Sequence, residues 1–364
     1  MERLNLNIFA NKKENNLRVL FGPVHIAGNF LGYSRGLSKL GIESKIVLTQ
    51  PHSFKYDEGN IEYLSGKIDL NKVDLRLKSG KIRGSFNLSN YKFMNFIDRF
   101  DIFHFIFGYS LLPDRRDIPI LKAKGKKIVM QFCGCDIRCR EIINNEKRPV
   151  SVCDDCSIEC LTQPKKELAA FWEENADAII SHPEYSQLLK KKYYNFIIGI
   201  DTSRWKPVNY QENSKVLIAH APSAQDIKGT KYVIEAVDRL KSERDDFEFI
   251  LLEKLPNEEL KKIIERADIV IDQLMCGWYG HFAVECMALG KPVLAYFDEN
   301  WRRQVPYAKD APIFNTTKQN IYENLKKLLD NSDLRREIGR KSREYAENVH
   351  NDEKVARDLL EIYK

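Results

Sequence analysis

The chain has 364 residues, 43% of them hydrophobic and 30% charged, with 18 Gly, 13 Pro and 8 Cys. At about 150 residues per domain, that length suits two domains with a core each, and excludes a small disulfide-stapled scaffold, a collagenous chain and a disordered one. The net charge of +6 is uneven: residues 1–200 carry 31 Lys and Arg against 23 Asp and Glu, residues 201–364 carry 27 against 29.

Elements follow in chain order. The N-terminus lacks a basic n-region with an apolar core, and the most apolar stretch, Ile102 to Pro113, is too short to span a bilayer, which predicts a cytoplasmic protein. Leu17 to Gly22 reads as a strand, Asn29 to Leu40 as a helix stopped by Gly41, and Ser44 to Thr49 as a second strand. Residues 50–95 are polar with weak alternation and read as a mobile insertion near a cleft mouth. Apolar runs at Asp101–Phe107, Lys127–Phe132 and Asp177–Ser181 are of strand length, with helical patterns at Asp117–Lys124, Lys166–Glu174 and Glu184–Lys192. The plan then repeats. Strands are expected at Lys215–Ala219, Phe247–Leu252, Asp268–Leu274 and Pro292–Phe297, and helices at Thr230–Lys241, Asn257–Arg266 and His281–Leu289. Charged amphipathic helices close the chain from Lys318, the last of them expected to pack back on the N-terminal domain. Alternating strand and helix predicts α/β domains with doubly wound parallel sheets, 1–200 and 201–364, joined through Ile198–Pro207 and facing an interdomain cleft.

One segment carries the strongest chemical signal. Asp268–Leu274 leads through Gly277-Trp278-Tyr279-Gly280 into His281-Phe282-Ala283-Val284-Glu285. A strand ends there, glycines let backbone approach a ligand, and a helix N-terminus offers unpaired N–H groups to an anion. Glu285, one turn in, is placed to accept from a ribose. Six of the eight cysteines lie within residues 133–160. Cys135-x3-Cys139 and Cys153-x2-Cys156 have spacings that suit a structural Zn²⁺ clamp, with free thiols or disulfides as the alternatives. Lys72, Arg76, Lys78, Lys81, Arg83 and Lys92, and again Lys122, Lys124, Lys126 and Lys127, suit an anionic acceptor or an anionic membrane touched peripherally at its inner face, against a plain solvated surface. No nucleic-acid recognition module is present. Gly32-Tyr33-Ser34-Arg35-Gly36 has a hydrolase-elbow spacing but lies inside a helical pattern, and His104 reads as a core residue.

Glu285-Cys286-Met287-Ala288-Leu289-Gly290-Lys291-Pro292-Val293 resembles the signature of glycosyltransferase family 4, a group of GT-B fold. Ile198-Gly199-Ile200-Asp201 with Trp205 and Pro207, Lys228-Gly229-Thr230, and Gly28-Asn29 ahead of the helix ending Leu37–Glu43 are similar to other motifs of that family. The resemblance implies a retaining glycosyltransferase with a UDP- or GDP-sugar donor, a glycan, lipid-linked or small-molecule acceptor, and no catalytic metal. It implies Lys228, Glu285 and His281 as catalytic, with Gly28, Asn29, Ser223, Gly277, Tyr279, Gly280, Phe282 and Ala283 completing the donor site. Cys133, Asp136 and Arg138 would stand on the cleft wall, in a segment similar to one where the family carries a His at the position of Cys133. Two more departures are Gly277, where the family has the first of two glutamates, and Ser223, where it often has an Arg. They motivate two alternatives, a catalytically degenerate nucleotide binder and a nucleotide-sugar epimerase.

Overall fold

The computed structural model describes residues 17–26, 28–49, 60–145, 150–154, 156, 159–208 and 214–364. Strands in chain order are β1 (Arg18–Gly22), β2 (Glu43–Leu48), β3 (Ile61–Tyr63), β4 (Arg76–Lys78), β5 (Lys81–Arg83), β6 (Ile102–Ile106), β7 (Lys127–Gln131), β8 (Ala178–Ser181), β9 (Tyr194–Asn195), β10 (Val216–His220), β11 (Phe247–Leu251), β12 (Ile269–Ile271), β13 (Val293–Ala295) and β14 (Phe314–Asn315). Helices are α1 (Asn29–Lys39), α2 (Leu88–Asp98), α3 (Asp117–Ala123), α4 (Arg140–Asn145), α5 (Thr162–Asn175), α6 (Gln225–Lys228), α7 (Thr230–Glu243), α8 (Asn257–Ile264), α9 (His281–Ala288), α10 (Glu299–Gln304), α11 (Ile321–Leu329), α12 (Ser332–Val349) and α13 (Asp352–Tyr363). Two units divide them: Met1–Cys139, Leu161–Gly199 and Asp352–Lys364 form the first, Arg140–Cys160 and Ile200–Asn351 the second.

The first unit holds a parallel sheet ordered β3-β2-β1-β6-β7-β8-β9. Side chains alternate across it, as a strand buried on both faces requires. From β1, Leu20 joins Phe103, Phe105 and Met130 in the core under α2, α3 and α5, while Val19 and Phe21 join Ile46, Ile106 and Val129 in the core under α1 and α13. The last helix therefore serves the first sheet, and glycines let it approach α1. A Cβ at Gly36 would stand 2.0 Å from the Asp352 carbonyl oxygen, and one at Gly32 would stand 2.0 Å from that of Gly199. Asp352, with its side chain fully buried, accepts from Lys39 Nζ at 2.7 Å and Arg35 Nε at 3.4 Å.

Two expectations fail in this unit. Of residues 50–95, the part from 60 onward is folded into the unit. β3 extends the sheet, β4 and β5 pair as a hairpin, and Leu64, Ile68, Val73 and Leu75 enter the core; residues 50–59 lie outside the described residues. The helix expected at Glu184–Lys192 is a run of turns. Buried Glu173 explains it: Oε1 accepts the backbone N–H groups of Lys190 at 2.6 Å and Lys191 at 2.5 Å, donors a helix would have used.

The second unit holds a parallel sheet ordered β11-β10-β12-β13-β14, with a core built on Ile218, Val237, Leu240, Ile271, Leu294 and Leu325. Strand order reverses direction on either side of β1 in the first sheet and of β10 in the second. In such sheets the loops at the carboxyl ends of the strands flanking the reversal leave a crevice for a ligand.

Candidate functional site

In the second unit those loops follow β10 and β12, and they carry the residues singled out in the sequence. β12 delivers Asp272, whose side chain is fully buried, and its two oxygens are both engaged. Oδ1 accepts from Lys228 Nζ at 2.7 Å and Oδ2 from the Gly280 backbone N–H at 2.8 Å. One carboxylate, 44 positions from Lys228, thus ties the end of α6 to the start of α9. Lys228 gives a second N–H to Gln273 Oε1 at 2.8 Å. An ammonium has three donors, and the third finds no partner among the described residues. Gln273 in turn donates to the Trp278 carbonyl.

Lys228 and Asp272 neutralise each other, so attraction for an anion falls to that third N–H and to the helix that follows. Gly280 precedes α9 with no side-chain cap, leaving the amides of Phe282 and Ala283 in the first turn at the positive end of the helix dipole. A Cβ at Gly280 would stand 3.3 Å from Asp272 Oδ2 and 3.4 Å from Lys228 Nζ, so bare backbone is what fits there. Ala283 is buried in the core and can offer only its N–H. One turn on, Glu285 Oε1 accepts from Asn257 Nδ2 at 3.4 Å and lies 3.9 Å from His281 Nε2. Ser223 stands exposed on the loop after β10.

Two residues named for the donor site are set by packing within the unit. Tyr279 faces the interior, stacked on Trp278, its hydroxyl 3.2 Å from both Tyr345 Oη and His350 Nε2; burial pushes that phenol well above its ordinary range. Gly277 adopts a φ of 62°, and a Cβ there would stand 2.5 Å from the Trp301 ring, so the loop excludes any side chain at that position. His220 and Asp272, residues able in principle to supply a missing polar contact, are spent internally. His220 shares its ring nitrogens between the Ile271 carbonyl and Thr230 Oγ1, both at 2.9 Å. Gln273 is likewise engaged, with Lys228 and the Trp278 carbonyl, and His281 is partly exposed.

In the first unit, Gly28 has a φ of 76° and leads Asn29, itself buried, into α1 at the carboxyl end of β1. Beyond β7 the chain turns tightly. Asp136 accepts the N–H groups of Cys133 at 3.2 Å and Gly134 at 2.8 Å, and burial pushes its carboxyl up to about 6. Arg138 pairs with Glu184 and reaches Cys135 Sγ at 3.5 Å. These two side chains hold the turn together. Burial also pushes the Cys133 thiol well above its ordinary value.

The cysteines do not assemble as expected. None of the eight forms a disulfide, and among the described residues no group of three or more His, Cys, Asp or Glu is placed to hold a metal ion. Cys139 Sγ lies 3.2 Å from Thr162 Oγ1 in the first unit, while Cys153, Cys156 and Cys160 belong to the second, where Arg140 donates to the Cys156 carbonyl at 2.7 Å. The donor set of Cys135, Cys139, Cys153 and Cys156 does not fit Zn²⁺. No helix among the described residues is long and apolar enough to cross a membrane.

No protein-family model matches this chain, and no curated protein does. Solved structures match along nearly its whole length. A sucrose-phosphate synthase from Thermosynechococcus elongatus is 11% identical with a TM-score of 0.62, covering 95% of this chain and 98% of that one. A glycosyltransferase from Rickettsia africae ESF-5 is 15% identical with a TM-score of 0.61, covering 96% and 98%. The Anabaena protein Alr3699/HepE, solved in complex with UDP-glucose, is 12% identical with a TM-score of 0.56, covering 95% and 98%. The fold is GT-B.

Proposed function

We propose that this GT-B chain is a retaining glycosyltransferase similar to family 4, moving a sugar from a UDP- or GDP-linked donor to a glycan, lipid-linked or small-molecule acceptor. The observation that carries the reading is the carboxyl edge of the second sheet, where the tethered Lys228, the open first turn of α9 and Glu285 converge. Departure of a nucleoside diphosphate builds negative charge on its phosphates. The Lys228 third N–H and the amides of Phe282 and Ala283 would stabilise that charge, preorganised by Asp272 and with no metal in the step. Glu285 would accept the ribose hydroxyls, and His281 would face the transferring sugar. The fold likeness to Alr3699/HepE, which was solved with UDP-glucose, supports a nucleotide-sugar donor.

The reading is tested by mass spectrometry of the purified protein with UDP-, GDP-, ADP- and dTDP-sugars, scoring nucleoside diphosphate released with and without acceptors. Release from one donor is expected, and Glu285→Ala should lower that turnover by about 2–4 kcal/mol of transition-state stabilisation. An altered sugar still on its nucleotide would replace transfer with epimerisation. A second reading, a nucleotide binder without turnover, is favoured by Gly277, where the Trp301 ring leaves no room for the family's first glutamate. Thermal stabilisation by free nucleotide with no conversion of any donor–acceptor pair would establish it.

A further inference from the structure

The segment read as an insertion holds the most unusual surface in the first unit. β4 and β5 are joined by Ser79 and Gly80, with φ of 49° and 72°, the left-handed pair that a two-residue hairpin turn requires. Register places Leu77 opposite Ile82, and Ile82 packs on the core, so that pair faces inward. Alternation then puts Arg76, Lys78, Lys81 and Arg83 together on the outward face, all exposed. Among the described residues, Lys78, Lys81 and Arg83 have no carboxylate partner. The second basic cluster behaves differently: Lys124 pairs with Asp98 at 2.8 Å, and Lys126 donates to the Phe100 carbonyl at 2.6 Å.

Apolar side chains follow those cations within a few positions of the chain. Phe86 is fully exposed, and Leu88 and Tyr91 are 65% and 66% exposed, so three of the nine exposed large hydrophobics among the described residues fall within six positions. The backbone holds them out. Asp74 accepts the Ser85 N–H at 3.1 Å, Asn87 caps α2 through the Asn90 N–H at 2.8 Å, and Asn87 Nδ2 donates to the Lys72 carbonyl at 3.2 Å. α2 spends its other face, Phe93, Phe96 and Ile97, on the core. A pinned turn that presents Phe, Leu and Tyr next to four unburied cations gains nothing from water.

We infer that the outward face of the β4–β5 hairpin and the 86–91 turn form a docking surface for an anionic lipid bilayer. The cations meet headgroup phosphates, and the three apolar side chains enter the boundary between headgroups and acyl chains. Leu88, which has no stacking face, favours lipid over single-stranded nucleic acid. The inference needs no sugar donor, so it stands or falls apart from the transferase reading.

The test is sedimentation of the full chain with vesicles of phosphatidylcholine alone or mixed with phosphatidylglycerol. Binding is expected only to the anionic vesicles and falls steeply with salt. Replacing Lys78, Lys81 and Arg83 together by Gln should weaken partitioning by about a hundredfold. Phe86→Ser with Leu88→Ser should weaken it by about tenfold or more while leaving the melting temperature unchanged. Tyr91→Trp should blue-shift its emission on binding. No binding to anionic vesicles at low salt, wild-type partitioning of both variants, or tighter binding to a single-stranded RNA oligomer than to the vesicles would each overturn the inference.

Discussion

The Lys228–Asp272 tether should behave as one energetic unit. Asp272→Asn removes the charge that Lys228 Nζ meets at 2.7 Å and turns an amide N–H₂ toward either that ammonium or the Gly280 N–H. Loss of a charge-assisted hydrogen bond costs about 1.5–3 kcal/mol, and an unsatisfied buried donor about 1–3. Because Lys228 keeps 12% of its side chain exposed and can recover some hydration, we expect about 3 kcal/mol in total. Lys228→Met leaves the fully buried Asp272 carboxylate with the Gly280 N–H alone, at a cost of about 3 kcal/mol. The double variant strands no charge, so its cost should fall short of the sum by about 2 kcal/mol. Urea unfolding followed by tryptophan emission suits the measurement, since Trp205, Trp278 and Trp301 lie in the second unit and only Trp172 in the first. Costs that add to within about 0.5 kcal/mol would refute the claim that these residues hold each other.

Three further outcomes follow from the geometry. Gly277→Ala, forced against Trp301 at a positive φ, should cost the second unit about 2–4 kcal/mol, and Gly277→Glu should destabilise rather than raise turnover; a stable, faster Glu variant would contradict the packing. Gly36→Ala should cost about 2–4 kcal/mol and expose α13 to proteolysis, because the Asp352 carbonyl occupies the Cβ position. Burial holds the His220 imidazole at about 4, below its ordinary 6.5, so the unfolded chain binds more protons between those values. Stability from this group is complete above pH 6.5 and is lost as pH falls toward 4, by about 1.4 kcal/mol per pH unit. The stability gap between wild type and His220→Gln, measured by denaturation at pH 7 and pH 4.5, should narrow by more than 2 kcal/mol; a constant gap would show that His220 does not titrate in this way.

Much of the fold was legible because local pattern and final packing agree. β1, α1 and the Gly41 stop could be read off as strand, amphipathic helix and terminator, and Asp268–Leu274 into His281 as strand, loop and helix start. Where reading failed, the deciding partner is distant in sequence. Residues 60–95 carry short, mostly polar strands whose burial depends on β2 and the core; the 184–192 pattern is helical until Glu173 captures its amides. At the site, Lys228, Gly280 and Glu285 could be named from motifs. The role of Asp272 could not, because nothing local marks a strand-terminal carboxylate as the anchor of a lysine 44 positions away. Tyr279 misled for the same reason: a loop aromatic beside glycines looks available until Tyr345 and His350 take its hydroxyl.

The placement of α13 has a consequence for synthesis. Most of the first unit precedes the second in the chain, yet α13, which covers one face of its sheet, follows it. On the ribosome that face, with Gly32 and Gly36 and the apolar side chains of β1 and β2 beneath them, stays open while the second unit is translated and can already fold. The N-terminal-first order usual for multidomain chains is therefore inverted for this face. A nascent chain stalled before residue 352 should carry a finished second unit and a sticky, unfinished first one.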